Sequence, residues 1–594
     1  MAEPHPLASL IDRLTGRDPG NVQVEVCVES PNDGTAEVAF RRYSDRHWDL
    51  SLRLRDHQVR LERDESAASL GLTRHQRRFV GSGEPTANDR IRLPEEVSVL
   101  SLADHLISDA SDLASYLKLA ETMTADQMLT LARLEPAGTN RWASEWSEDL
   151  VITRHPDGET GAYRIAWAAG RVEVSLGALG PNDTDVDSRD WQEQEIDRDE
   201  LERTIVHGLR RMTEVLRPGP TLDQASAQTT EVEYGRLSNL NGQRVAVLYG
   251  TPEQIGRAHG QLLAAEARRC IDSTLYMVGL GETVASGEWF PDTLRAIRER
   301  VSPHIPGAHT RELYAMADAA GLTREEAELA NVFPEFFHCS GFAVMDSATA
   351  DGTLYHGRVL DYMTAIGLHH ADTVFVIEPD DGRHRFVNVG YAGFIGSVTG
   401  MNDQQLSLGE MGGAGQGHWD GVPMATLMRR ALEECSTLNE VKTLWAESPR
   451  TCEYYYVFAD GKTNDAVAVA ATHDSIEFLA PGKPHPRLGE GIADTVFISQ
   501  GERVAHLRQR IDAGHGKIDT EAAMRLMDRP VAMTSNLHNV LMVPEYLTIH
   551  VAHANDDAIA ADRPYVEIDL NTFWSQAKQP ETTIQSHELE SSVP

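Results

Sequence analysis

Cys339, Arg358 and Asp361 are the residues whose types and spacing could do nucleophilic chemistry. They lie in one stretch: His338-Cys339-Ser340-Gly341-Phe342-Ala343-Val344, a turn at Asp351-Gly352, then Leu354-Tyr355-His356-Gly357-Arg358-Val359-Leu360-Asp361. An Asp-Gly pair between two strand-like runs is a strong hairpin signal. Such a hairpin carries a thiol at one open end and returns a guanidinium and a carboxylate towards it, a nucleophile with two charged groups to orient it. The plainer reading of each residue is a small buried hydrophobe for the cysteine, a turn residue for the aspartate and a surface ion pair for the arginine. Cys27, Cys270, Cys435 and Cys452 keep that plainer reading.

The elements that must hold this hairpin follow from periodicity. Val245–Tyr249 reads as a strand, and Gly250-Thr251-Pro252 opens a helix with Ile255, Ala258, Leu262 and Leu263 on its apolar face. His259 in that helix reads as a ligand or as a packed histidine, and no second ligand stands at helical spacing. Glu312–Ala320 is helical and stops at Gly321. Thr323-Arg324-Glu325-Glu326 is a capping box for a helix that Pro334 ends. The run Glu335-Phe336-Phe337-His338 leads into Cys339. Beyond Asp361, strands over 373–378, 386–389, 396–400, 406–409, 454–458, 466–470, 476–479, 495–499, 540–543 and 548–551 alternate with helix pairs. Strands in hairpins with helices in pairs argue for two packed antiparallel sheets between helical layers. The glycine run Gly412–Gly417 lacks the Lys-Ser/Thr of a phosphate-binding loop and reads as a loop lining a pocket.

The Cys339 strand with Gly357-Arg358-Val359-Leu360-Asp361 resembles the N-terminal-nucleophile (Ntn) hydrolases, in their isopenicillin-N acyltransferase-like and choloylglycine hydrolase-like branch. The likeness extends over residues 245–575, with Gly250–Gly260 similar to the start of the family's pro-segment. It implies the Ntn-type αββα four-layer sandwich; with the additional N-terminal α/β module read from periodicity, the expected fold class is α+β. The resemblance also implies a precursor that cuts itself between His338 and Cys339, so that the new α-amine of Cys339 becomes the base for its own thiol. On this resemblance Asp361 holds that amine, and Arg358 favours the thiolate and could contact a substrate carboxylate. Gln500, in Ile498-Ser499-Gln500-Gly501, stands where the family has an oxyanion-binding Asn. The activity implied is a self-processing amidohydrolase or acyltransferase working on a linear amide through a thioester. The alternative, which Gln500 favours, is an Ntn-fold binding protein without catalysis. Asn402 reads as structural.

Composition narrows the rest. The 594 residues carry 54 basic and 91 acidic side chains, a formal charge of −37, which disfavours nucleic acid as a partner. No apolar run is long enough for a membrane span, and the first residues lack a secretory pattern. Five scattered cysteines imply neither a disulfide framework nor a zinc motif, and a reducing cytoplasm is expected. No His-Glu-x-x-His cluster occurs, so no metal or cofactor is expected. The expected partners are a small amide or acyl substrate and the two cleaved fragments of the chain itself, with homo-oligomerisation left open. The expected organisation is an α+β module over 1–225, in which two strand-strand-helix halves suggest a repeat; a linker over 226–244; a helical pro-segment over 245–338; a catalytic core over 339–575; and a tail over 576–594. In the first module, Val22–Val28, Trp48–Leu61 and Ala162–Leu176 alternate as strands, and Leu100–Leu119 and Asp197–Leu216 read as helices.

Overall fold

The computed structural model describes residues 7–576 apart from 18–20, 31–33, 45, 56, 85–91, 95–96, 146, 156–160, 168–169, 177–190, 221–227, 333–337, 363 and 414–416. The expected lead-in at 335–337, the middle of the glycine run and nearly all of the expected tail lie outside the described residues. The chain divides into two compact units, Met1–Gln224 with Ile271–Arg295, and Ala225–Cys270 with Ala296–Pro594. Residues 271–295, within the stretch expected as pro-segment, thus group with the N-terminal part.

In the first unit, the described residues form one twelve-stranded sheet. Two antiparallel meanders, Val22–Ser82 and Leu134–Leu176, are joined through the pairing of Val22–Val28 with Gly170–Leu176. The alternating run at Trp48 folds into two strands, His47–Leu54 and His57–Arg63, because the chain turns back at Arg55 with φ 54. The helix expected over 100–119 breaks into Val99–Leu106 and Asp112–Thr122: Ile107 goes extended, and Ser111 caps the second helix by accepting from the Leu113 amide. Asp197 caps Arg198–Leu216, which buries Leu201 and Ile205 against Trp48, Phe79 and Trp289; Met212, expected on that face, is exposed.

The second unit contains a ten-stranded and a six-stranded sheet. Their facing sides interdigitate through Val245, Val374, Val387 and Met401 from one and Val540, Met542, Ile549 and Val551 from the other. Helices Pro252–Leu262, Met424–Glu434 and Leu438–Glu447 contact the ten-stranded sheet. Pro252–Leu262 also packs tightly on Gly307–Ala320, where a Cβ on Gly256 would meet the Glu312 carbonyl oxygen at 2.1 Å. Helices Glu502–Gly514 and Thr520–Leu526 bury Leu507, Ile511 and Leu526 against Phe342, Val344 and Leu541 of the six-stranded sheet. This is the four-layer αββα sandwich expected from the resemblance. One pairing departs from the antiparallel expectation: Gln243–Gly250 runs parallel to Asp372–Pro379.

The stretch expected as a linker also differs. Thr230–Val232 and Gly235–Leu240 are strands of the ten-stranded sheet, joined to Gln243–Gly250 through Asn241-Gly242 with φ 50 and 91. Asn-Gly is a two-residue hairpin signal; its polar neighbours made the segment look like coil.

Candidate active site

The cysteine hairpin consists of His338–Asp346 and Gly352–Asp361, with Gly352 at φ 86. Its ladder closes at Asp346–Gly352, so the connection is a five-residue loop, 347–351, rather than a tight Asp-Gly turn. The register sets the chemistry. Cys339 lies opposite Leu360, His338 opposite Asp361, and Gly341 opposite Arg358. The carboxylate of Asp361 is therefore carried by the residue facing the one before the thiol. On the other side, Gly341–Val344 pairs with Thr495–Ile498, and the chain leaves that strand through Ser499 and the exposed Gln500.

Cys339 and Gln500 line the same cavity of about 520 Å³, together with Met411, Tyr455, Val469 and Ser499. The thiol is 5 % exposed. Burial pushes it up to about 12; Arg358 pulls it down, and Glu410 and Asp361 push it up. In the uncut chain the sulfur is thus held protonated at neutral pH.

Arg358 and Glu410 form an ion pair at 3.3 Å with neither side chain exposed. Glu410 belongs to Leu406–Gly412 of the ten-stranded sheet, so the pair bridges the two sheets. Its neighbour Gly409 has no alternative, since a Cβ there would meet Arg358 Cγ at 2.9 Å. Arg358 Nε and Nη1 are buried with no hydrogen-bond partner among the described residues. Arg358 is not among the residues lining the cavity.

Asp361 is 2 % exposed. Its Oδ2 accepts from Arg503 Nη1 at 2.5 Å and its Oδ1 from the Met533 amide at 2.9 Å. Burial raises its carboxyl above the usual range, against Met533, Arg503 and Arg358, which lower it. Arg503 also reaches Ser340 Oγ at 3.3 Å, and Ser340 Oγ lies 2.7 Å from Ser499 Oγ. Farther out in the cavity, Arg487 donates to the Tyr455 hydroxyl at 2.7 Å, and that hydroxyl donates to Glu453 at 2.6 Å.

Sequence reasoning missed Glu410, Arg503 and the Glu453–Tyr455–Arg487 series. Glu410 had a faint signal, an acid continuing the apolar alternation of Leu406 and Leu408. Arg503 had none, because its role depends on where its helix lands. His259 is packed: its Nε2 accepts the Gly393 amide at 3.0 Å, and burial pushes it down to about 3. Asn402 is structural, with Nδ2 donating to the Leu432 and Cys435 carbonyls. Among the described residues, one group has metal-type donors, His369, His370 and Asp556, and none of the three lines the thiol cavity.

Residues 348–480 match the family model for acyl-coenzyme A:6-aminopenicillanic acid acyl-transferase. That part of the chain is similar to the acyltransferase-like and choloylglycine hydrolase-like branch of the Ntn hydrolases. The family is one of amidohydrolases and acyltransferases. The chain is similar to protein dcd1A of Dictyostelium discoideum, 24% identical over 420 residues that cover 60% of this chain and 93% of the relative. It is also similar to N-acylethanolamine-hydrolyzing acid amidase of Rattus norvegicus, 25% identical over 200 residues, 32% of this chain and 53% of the relative. Among solved structures, the Caenorhabditis elegans ortholog of that amidase aligns with a TM-score of 0.28 at 15% identity, covering 38% of this chain and 99% of its own. No helix among the described residues is long and apolar enough to cross a membrane.

Proposed function

We propose that this Ntn domain is a self-processing cysteine amidohydrolase or acyltransferase that opens a linear amide through a thioester on Cys339. The observation that carries the reading is the setting of Cys339 at the head of its strand: its thiol lines a cavity of about 520 Å³, and the Asp361 carboxylate belongs to the residue facing His338.

The first stage acts on the chain itself. The Cys339 sulfur attacks the His338 carbonyl through a five-membered ring, the C–N bond breaks, and its nitrogen leaves as the α-amine of Cys339. Water then cleaves the thioester and leaves the His338 carboxylate and a free thiol. The second stage uses the new amine, with a reference pKa of about 7.7–8.0, as the base beside the sulfur. Asp361, already held by Arg503 and the Met533 amide, accepts from that amine. The buried charge of Arg358 favours the thiolate. Gln500, at the cavity rim, donates to the oxyanion. Met411, Val469, Leu479, Leu488, Ile498 and Val504 give the cavity an apolar wall suited to an apolar acyl group.

The fragments on either side of the cut stay associated, because the ten-stranded sheet crosses it. Gln243–Gly250 pairs with Asp372–Pro379, and Glu312 binds the buried Arg429 through Oε1 at 2.8 Å and Oε2 at 2.5 Å. All five cysteines are buried thiols outside any disulfide, in keeping with a reducing cytoplasm. The binding-protein reading has Gln500 in its favour, with Arg503 already occupying Asp361.

Denaturing electrophoresis with intact mass tests the proposal. Wild-type protein is expected as two polypeptides, the second beginning at Cys339, and Cys339→Ala as one. An active wild type that remains a single chain removes the α-amine base and overturns the mechanism. An uncut, inactive chain that still binds amides favours the binding protein.

A further inference from the structure

His369 and His370 sit side by side on a single helical turn, Leu368–Ala371, that feeds the strand Asp372–Pro379 of the ten-stranded sheet. Asp556 lies in the loop after Thr548–His553 of the six-stranded sheet. Although 186 and 187 residues away in sequence, both imidazoles meet it: each Nε2 lies 2.7 Å from the same oxygen, Asp556 Oδ1. The rings are 4.3 Å apart, inclined at 64°. The histidines are buried, while Asp556 is on the exposed side. Both imidazoles turn Nε2 towards one carboxylate oxygen, and Nδ1 of His369 is buried with no partner among the described residues.

We propose that His369, His370 and Asp556 form a structural site for a divalent ion of the zinc class. Two imidazole nitrogens and one carboxylate oxygen suit Zn²⁺ rather than Mg²⁺ or Ca²⁺, which want oxygen donors. The three donor atoms lie within 4.8 Å of one another. A tetrahedral zinc with bonds of about 2.0–2.1 Å needs its ligand atoms about 3.3 Å apart, so only small adjustments separate this cluster from a coordination shell. Each imidazole would bind the metal through an unprotonated Nε2 and keep its one ring proton on Nδ1, with water in the fourth position on the exposed side. Because its ligands come from the two sheets, the ion would clip the sandwich together. It stands apart from the thiol cavity and takes no part in the acyl chemistry.

The test uses tag-free protein stripped with a chelator, in both wild-type and Cys339→Ala forms so that the cavity thiol is excluded as a ligand. Zn²⁺ alone is titrated by calorimetry, and Co²⁺ alone is followed by visible absorption. One saturable site per chain is expected, with a tetrahedral cobalt spectrum and a higher melting temperature on metal addition. Asp556→Asn, a shape-conserving change on the exposed side, and His369→Gln, checked for folding by circular dichroism, should each weaken binding at least tenfold. Absence of a saturable site in both forms overturns the proposal. So does unchanged affinity in both folded variants, which assigns the binding to surface carboxylates of this acidic chain.

Discussion

The Arg358–Glu410 pair allows catalysis and stability to be separated by mutation. Both side chains are fully buried and meet at 3.3 Å. Arg358→Met leaves Glu410 as a charge in the interior, and breaking one side of a buried pair costs about 3–5 kcal/mol. An independent route gives a similar figure. With the Arg358 charge gone the carboxyl escapes by taking a proton, which at pH 7 against a reference pKa of about 4.3 costs about 4 kcal/mol, at about 1.36 kcal/mol per unit. The sign follows: a carboxyl whose folded pKa is raised loses no stability below its unfolded pKa and loses progressively more as pH rises. The defect in Arg358→Met should therefore shrink to about 1 kcal/mol near pH 5. Adding Glu410→Leu replaces the pair with apolar groups and should return stability to near wild type. Activity should rank differently. Arg358 is the largest influence favouring the Cys339 thiolate, and Glu410 opposes it. Self-cleavage and turnover should fall about tenfold or more in Arg358→Met, one pKa unit of thiol being a factor of ten, and recover only in part in the double variant. Urea unfolding at pH 5 and 7, with intact mass followed over time, reads both quantities. A double variant with both stability and cleavage at wild-type level would show that Arg358 is a structural charge alone. A pH-independent defect in the single variant would refute the buried-carboxylate argument.

Gln500→Ala should lower turnover by roughly 10²–10³-fold with little change in unfolding midpoint, as loss of one oxyanion donor does; steady-state kinetics near wild type would assign the hole to another group. Because burial holds the Cys339 thiol at about 12, self-cleavage of freshly refolded chain should accelerate about tenfold per pH unit between about pH 6 and 8 as the thiolate fraction grows. A flat profile would exclude thiolate attack in the uncut chain.

The sequence by itself determined the hairpin, because a strand needs only alternation and a turn residue, and both are local. Cys339 and Gly357–Asp361 sit in that hairpin, and with the register known the carboxylate faces the residue before the thiol. The caps at Thr251 and Thr323 and the stop at Gly321 were legible for the same reason: each motif spans three or four residues. Where polar composition masked a local signal, as at Asn241-Gly242, strands were mistaken for a linker. Only tertiary structure decided the partners. Glu410 meets Arg358 because two sheets stack, and Arg503, 142 residues after Asp361, meets it because the helix that carries Arg503 lands beside the cysteine hairpin. The adjacent His369 and His370 had no meaning until a loop from the other sheet brought Asp556 between them. Charges that act at a distance in sequence are chosen by packing geometry, and no periodicity records which faces will meet.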